Sequence, residues 1–206
     1  VRVVDSVYAN AISAYIFAVI IGVLIVSGEF RHGTAVATFV ATPKRGRVLL
    51  AKLFVAALAG VVVQIVATAA GFGGGYLALL AYPDAATPSI EIFINTSIGA
   101  VISGAVLGVL GAAVGALLRS QILALMSVLI WLFAIEPILL LLVPDQGQYF
   151  LSGLITAMVA LDVQSEQFNL NTADFASPLM ATLLLLGYGV VFAVVALASS
   201  MRRDID

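Results

Sequence analysis

Long uncharged runs alternate with short polar segments along this chain. About 20 apolar residues in an α-helix cross the hydrocarbon layer of a bilayer, and five of the runs are long enough to do so. We therefore predict membrane spans at about residues 7–26, 53–82, 92–118, 122–143 and 179–201. The predicted fold is an all-α, polytopic membrane helical bundle, with residues 1–206 forming a single transmembrane domain.

The second run is longer than one perpendicular crossing requires, because residues 53–83 carry no charge. Two crossings and a turn do not fit into it, so we expect one long helix that is tilted or broken. The expected break is residues 71–75, where four glycines lie. Glycine has no side chain to pack and weakens a helix interior.

The third run carries a small residue at every fourth position. Residues at this spacing lie on one face of a helix and allow the backbone of a second helix to approach closely. A substrate groove is the functional alternative, and helix packing is the favoured interpretation. The stripe consists of Ala100, Gly104, Gly108, Ala112 and Ala116, with Gly111 and Gly115 as a second pair.

The fourth run contains an acid followed by a proline, Glu136 and Pro137. A charged side chain facing the bilayer centre costs about 2.5 kcal/mol or more, so Glu136 is expected to face protein, water or the interface. Two alternatives stay open: Glu136 lines a transport pathway, or it lies at the outer boundary as an ordinary helix-end acid.

Two polar segments separate the predicted spans. Residues 144–178 form an external segment, and their apolar first part, 149–161, is too short to cross a membrane and suits an interfacial or re-entrant helix. Residues 27–52 form a basic segment that we call the elbow. In the elbow, Val36, Phe39 and Val40 would share one face of a short helix beginning near Gly33 or Thr34, and a basic turn would follow Pro43.

Composition narrows the class of protein. The chain is 63% hydrophobic and 10% charged, whereas charged residues make up about a quarter of a soluble domain, so we predict an integral membrane protein. It has no cysteine, which excludes disulfides, thiol nucleophiles and thiolate metal sites. It also lacks the HExxH, GxSxG and Walker A motifs, and we therefore predict that it is not an enzyme, with no catalytic residues and no metal site.

Basic residues are distributed unequally between the two sides of the predicted bundle. Eight of the nine Lys and Arg residues fall on one side, in the elbow, at Arg119 and at Arg202 and Arg203. An excess of Lys and Arg marks the cytoplasmic side of a membrane. The elbow and the C-terminus are thus predicted to be cytoplasmic, and Val1 external.

The elbow also resembles a known signature, that of the bacterial ABC-2-type transporter permeases. The resemblance rests on Glu29, Gly33 and Thr34, then Pro43 with Arg45 and Arg47, then Ala51 and Lys52 leading into a long apolar helix. Family members often carry an arginine three residues after the proline; Gly46 stands there in this chain. The order of spans extends the resemblance over nearly the whole sequence.

The resemblance implies a function for the elbow, which in that family is a cytoplasmic coupling element abutting a separate ATP-binding subunit. Short external helices between the last two spans also belong to the family. The residues implied in coupling are Glu29, Gly33 and Thr34, which would shape an interfacial coupling helix, and Pro43, Arg31, Lys44, Arg45 and Arg47, which lie in or beside the contact with the partner.

The resemblance further implies the membrane-spanning permease subunit of an ATP-binding cassette exporter in the bacterial cytoplasmic membrane. Two permease chains, identical or different, would form the pathway within the lipid bilayer. Each ATP-binding subunit would hold ATP and Mg, so this chain needs no cofactor. Members have six spans with both ends inside, and one further span is expected before Val1. The apolar spans favour a hydrophobic or amphipathic drug, lipid or peptide as substrate, and nucleic acid is not an expected partner.

Two other functions stay open. One is an ion-gradient-driven secondary transporter or channel, for which Glu136 is the only ionisable residue inside a predicted span. The other is a membrane immunity protein that binds a toxic peptide without pumping it.

Overall fold

The computed structural model of the chain describes residues 14–34, 45–81, 90–159 and 176–199. All regular secondary structure in these residues is helical. The elements are α1 (Tyr15–Arg31), α2 (Arg45–Ala81), α3 (Ile90–Leu118), α4 (Gln121–Ile130), a π-helical turn (Trp131–Ile135), α5 (Glu136–Leu142), a 3-10 helix (Pro144–Tyr149), α6 (Leu151–Val159) and α7 (Pro178–Ala198).

Within the described residues, four helical stretches are long and apolar enough to cross a membrane. They are Arg45–Leu77, Phe93–Leu118, Gln121–Leu142 and Pro178–Ala198. Length and composition of these helices therefore support the predicted membrane helical bundle. The remaining predicted span, 7–26, overlaps α1, which has 17 residues in the described part of the chain; its predicted first residues lie outside that part.

The central helix of the bundle is α3. It packs against α1, α2 and α7. In its most apolar 18-residue stretch 61% of the residues are buried, compared with 28% in α2 and in α7 and 11% in the stretch formed by α4 and α5. Small residues make this position possible, because they let three neighbours approach one helix at once.

Serine side chains begin two of the helices. The hydroxyl of Ser120 accepts a hydrogen bond from the amide of Leu123, and the hydroxyl of Ser177 accepts one from the amide of Met180. Each serine thereby satisfies an amide that has no partner within the first helical turn. The first of these caps lets α4 turn back antiparallel to α3 after a connection of only two residues, Arg119 and Ser120.

The second predicted span differs from expectation at its beginning and at its glycines. The structure has one continuous helix, α2, of 37 residues, which at 1.5 Å per residue is about 55 Å long. No break occurs at residues 71–75, because the helix continues through all four glycines. The predicted basic turn after Pro43 is also corrected, since Arg45, Gly46 and Arg47 form the first turn of α2.

A π-helical turn precedes the acid and proline of the fourth predicted span. In this turn the amide of Glu136 donates to the carbonyl of Trp131, five residues back. Pro137 has no amide hydrogen and its ring crowds the carbonyl four residues earlier. The wider turn accommodates the proline ring and the missing hydrogen bond without ending the helix, so Gln121–Leu142 remains one apolar helical stretch.

Residues 144–159 fold back into the bundle. All nine residues of α6 are buried, and α6 packs against α3 and α7. The hydroxyl of Tyr188 donates to the carbonyl of Tyr149 at 3.1 Å. Because Tyr188 lies ten residues into α7, Tyr149 lies about 15 Å along that helix from Pro178. This part of the predicted external segment is therefore a hairpin packed against the bundle, which we call the α6 hairpin.

Candidate functional site

The small-residue stripe of α3 contacts α2 backbone to backbone. A Cβ atom added to Gly104 would lie 2.5 Å from the carbonyl oxygen of Gly60 and 2.7 Å from the Cβ atom of Gln64. A Cβ atom on Gly108 would overlap the carbonyl of Ala56. The two helices therefore approach as closely as their backbones permit.

A second set of glycines places α1 against α3 in the same way. Added Cβ atoms on Gly111 and Gly115 would meet the carbonyls of Val19 and Val23. Gly22 of α1 faces the backbone of Gly108 in return. The stripe and the second pair thus contact two neighbouring helices, and α1 and α2 lie side by side on α3. The other stripe residues, Ala100, Ala112 and Ala116, are fully buried.

An ion pair joins the first and last parts of the elbow, which lie in α1 and α2. Lys52 of α2 pairs with Glu29 in the last turn of α1. Their side chains are only 11% and 27% exposed, so solvent screens the pair less than it would a surface pair. Among the described residues the partner of Glu29 is Lys52, across 23 positions of sequence; the predicted role of Glu29 in shaping a coupling helix involves residues outside the described part of the chain.

Further contacts tie the end of α1 to the α3–α4 connection. Arg31 donates to the side-chain oxygen of Gln121 at 3.2 Å, and the guanidinium of Arg119 lies 5.7 Å from the centre of the Phe30 ring, a cation–π arrangement. Phe30, Arg119 and Gln121 were not among the predicted site residues. The sequence feature that could have indicated them is the two-residue connection after α3. So short a connection holds Arg119 close to any helix that ends beside it.

The rest of the predicted coupling set is only partly described. Gly33 has φ +69°, a left-handed conformation typical of the residue that leads a chain out of a helix, and it follows the end of α1. Thr34, near which the short elbow helix is predicted to begin, is helical. Arg45 and Arg47 lie in the first turn of α2. Pro43, Lys44 and the face predicted from Val36, Phe39 and Val40 lie outside the described residues.

Glu136 lies in the interior of the bundle, where its side chain is 2% exposed. Its Oε1 atom accepts a hydrogen bond from the amide of Ser152 at 2.6 Å. Ser152 is the second residue of α6, so the carboxyl group binds the amide end of that helix, where the helix dipole favours an anion. Oε2 of Glu136 and the hydroxyl of Ser152 have no hydrogen-bond partner in the described part of the chain.

A second buried polar group lies on α2. Gln64 is fully buried against α3, and both polar atoms of its amide lack a hydrogen-bond partner among the described residues. The hydroxyl of Thr68, one turn further along the same face, also lacks one. Such groups can hydrogen-bond a polar part of a bound molecule, but the described residues form no cluster of three or more His, Cys, Asp or Glu side chains that could hold a metal ion.

The Glu29–Lys52 pair yields a direct prediction about the basic end of the bundle. Changing Glu29 to Lys places two cations together and should lower the melting temperature of the detergent-solubilised protein, and the exchanged pair Glu29→Lys with Lys52→Glu should recover most of the loss. A partly buried pair of this kind is worth about 1 kcal/mol. A thermal double-mutant cycle measures it, and additive effects of the two single changes would show that the two side chains are not coupled.

Comparison of the chain with protein-family models, with curated proteins and with solved structures found no match.

Proposed function

We propose that the chain is the membrane-spanning permease subunit of an ATP-binding cassette exporter, with ATP hydrolysed by a separate subunit that docks on the elbow. The observation that carries this proposal is the Glu29–Lys52 ion pair, which joins the two helices on either side of the elbow. A push on the elbow would then reach α1 and α2 together, and both helices pack on α3.

The glycine contacts suit this motion. Helices that meet through small residues have few interlocking side chains, so they can slide by small amounts while they remain in contact. Displacement of α1 and α2 along α3 would alternate the bundle between inward-open and closed or outward-open states. Arg31 would transmit the same displacement to α4 through Gln121.

The proposal includes a topology. Five spans are present, with α1 as the first of them, and the elbow and the C-terminus face the cytoplasm of a bacterial cell because the basic residues lie there. The apolar faces of α4, α5 and α7, which are largely exposed in one chain, would meet lipid or a second permease chain. The substrate would be hydrophobic or amphipathic, and Gln64 and Thr68 would offer it hydrogen bonds.

An ion-gradient-driven transporter is the second candidate, and the buried carboxyl group of Glu136 is the observation in its favour. Transporters of that kind move ions through such groups. In this chain the hydrogen bond from Ser152 gives Glu136 a structural role in addition, which favours the exporter. No observation favours a membrane immunity protein over either.

The proposal predicts that an ATP-binding protein co-purifies with the full chain in mild detergent. Lys44→Glu with Arg45→Glu should lower its yield by about five-fold, because charges at the rim of a contact steer docking and each contributes modestly. Quantitative mass spectrometry of the purified complex measures the yield. Gln146→Glu with Gln148→Glu adds negative charge in the 3-10 helix, away from the elbow, and should leave the yield unchanged. Absence of any ATP-binding protein, or equal yields for all variants, would contradict the proposal.

A further inference from the structure

A cavity of about 430 Å³ opens between α1 and α2 beside the Glu29–Lys52 pair. It lies at the end of the bundle that carries the basic residues, which the positive-inside rule assigns to the cytoplasm. Its walls combine charged and aliphatic side chains. The lining residues are Ile25, Glu29, Arg47, Val48, Ala51, Lys52 and Val55.

The charges in the cavity leave one cation available. Glu29 and Lys52 neutralise each other, and Arg47, which is exposed, makes no ion pair or hydrogen bond within the described residues. Its guanidinium can hold a phosphate group with two parallel hydrogen bonds. The charged end of the cavity is therefore complementary to a single anion.

The rest of the cavity is complementary to a hydrocarbon chain. Val48, Ala51 and Val55 recur along one face of α2, and Ile25 of α1 faces them across the cavity. From Arg47 to Val55 the helix rises about 12 Å. The same face continues beyond the cavity into Leu58 and Val62, both of which are exposed, so an apolar track about 10 Å longer leads toward the middle of the bilayer.

We propose that this cavity binds an anionic phospholipid of the cytoplasmic leaflet, with its phosphate on Arg47 and an acyl chain along Val48, Ala51 and Val55. A sugar or a metal ion would leave the aliphatic walls unused, whereas a phospholipid matches both the charge and the apolar track. Basic pockets between helices on the cytoplasmic side are typical sites for such headgroups. The lipid would brace the junction of α1 and α2 beside the Glu29–Lys52 pair, whatever the protein transports.

The test is competition between two lipids for the purified full chain. The chain is incubated in detergent with equal amounts of phosphatidylglycerol and phosphatidylcholine that have the same acyl chains, and native mass spectrometry counts the lipids retained. We expect the wild type to retain phosphatidylglycerol in preference. Arg47→Gln should reduce that preference about five-fold, which is the change in affinity expected when one basic residue beside an anionic lipid is removed. Arg31→Gln removes the same charge outside the cavity and should preserve the preference.

A second variant tests the apolar part of the cavity. Ala51→Phe keeps Arg47 but fills the space for the acyl chain, and should reduce retention of both lipids; Ala51 is exposed, so the change is compatible with folding. If Arg31→Gln and Arg47→Gln lose the preference for phosphatidylglycerol equally, the preference arises from the general surface charge, and the proposal is overturned. Unchanged lipid retention in Ala51→Phe would overturn it as well; a lower melting temperature without lipid would then assign the cavity to another segment of the chain itself.

Discussion

Replacing Gly108 by leucine is expected to prevent assembly of the bundle. A single added Cβ atom at this position would already overlap the carbonyl of Ala56 on α2, and a leucine would add three more carbon atoms. Gly108 also faces Gly22 of α1, so the side chain could not escape toward that helix. Overpacking usually costs about 1–3 kcal/mol; here two rigid backbones would have to separate, and we expect the upper end of that range or more.

Glycine 187 provides a matched control for this change. It lies on α7, another apolar helix, and nothing stands within 4 Å of an added Cβ atom there. Gly187→Leu should therefore give the wild-type yield, elution volume and melting temperature in detergent, whereas Gly108→Leu should give aggregated or degraded protein. If Gly108→Leu folds and melts like Gly187→Leu, then α2 and α3 do not meet at this glycine.

Glu136→Ala is expected to loosen the α6 hairpin. The change removes the oxygen that accepts the amide hydrogen of Ser152 and leaves that amide buried without a partner, which costs about 1–3 kcal/mol. Glu136→Gln keeps an oxygen in the same place and should retain most of the stability. Thermal melting, together with hydrogen exchange of residues 151–159, separates the two variants.

The same pair of variants discriminates between the two candidate functions. If Glu136 only holds α6, Glu136→Gln should transport at nearly the wild-type rate. If Glu136 carries ions, Glu136→Gln should be stable but inactive, because an amide cannot exchange a proton or balance a cation. Stable protein from Glu136→Ala with unchanged hydrogen exchange would show that the carboxyl group does not hold the hairpin.

Several features of the fold were accessible from the pattern of apolar residues. Runs of about 20 residues locate helices that can cross a bilayer irrespective of what surrounds them, and the described part of the chain contains four such helices. The boundaries were less accessible. α2 already includes Arg45 and Arg47, because a long basic side chain can extend its charged group to water while its backbone remains helical, and counting uncharged residues starts the helix too late.

The contacts at the basic end depended on geometry that no local pattern contains. Glu29 and Lys52 are on different helices, and their pairing follows from the way α1 and α2 lie on α3. The spacing of Gly104 and Gly108 predicted a close helix contact without naming the partner. The sequence marks Glu136 as unusual, but its hydrogen bond to Ser152 forms only because residues 144–159 pack back into the bundle. The shortness of that apolar segment was compatible with either an interfacial or a re-entrant helix, so the contact could not be predicted.

The length of α2 has a consequence for where its glycines lie. A helix of about 55 Å cannot fit within a hydrocarbon layer of about 30 Å, even at the largest tilts common for such helices, about 40°. If Lys52 marks one boundary of that layer, a helix with little tilt would leave it about 30 Å later, near Phe72. The glycine-rich residues 73–75 would then emerge among the lipid headgroups, beside the stacked rings of Phe72 and Phe93. This stacked pair joins α2 to α3 at that depth, so a thinner or thicker membrane would strain the contact between the two helices there first.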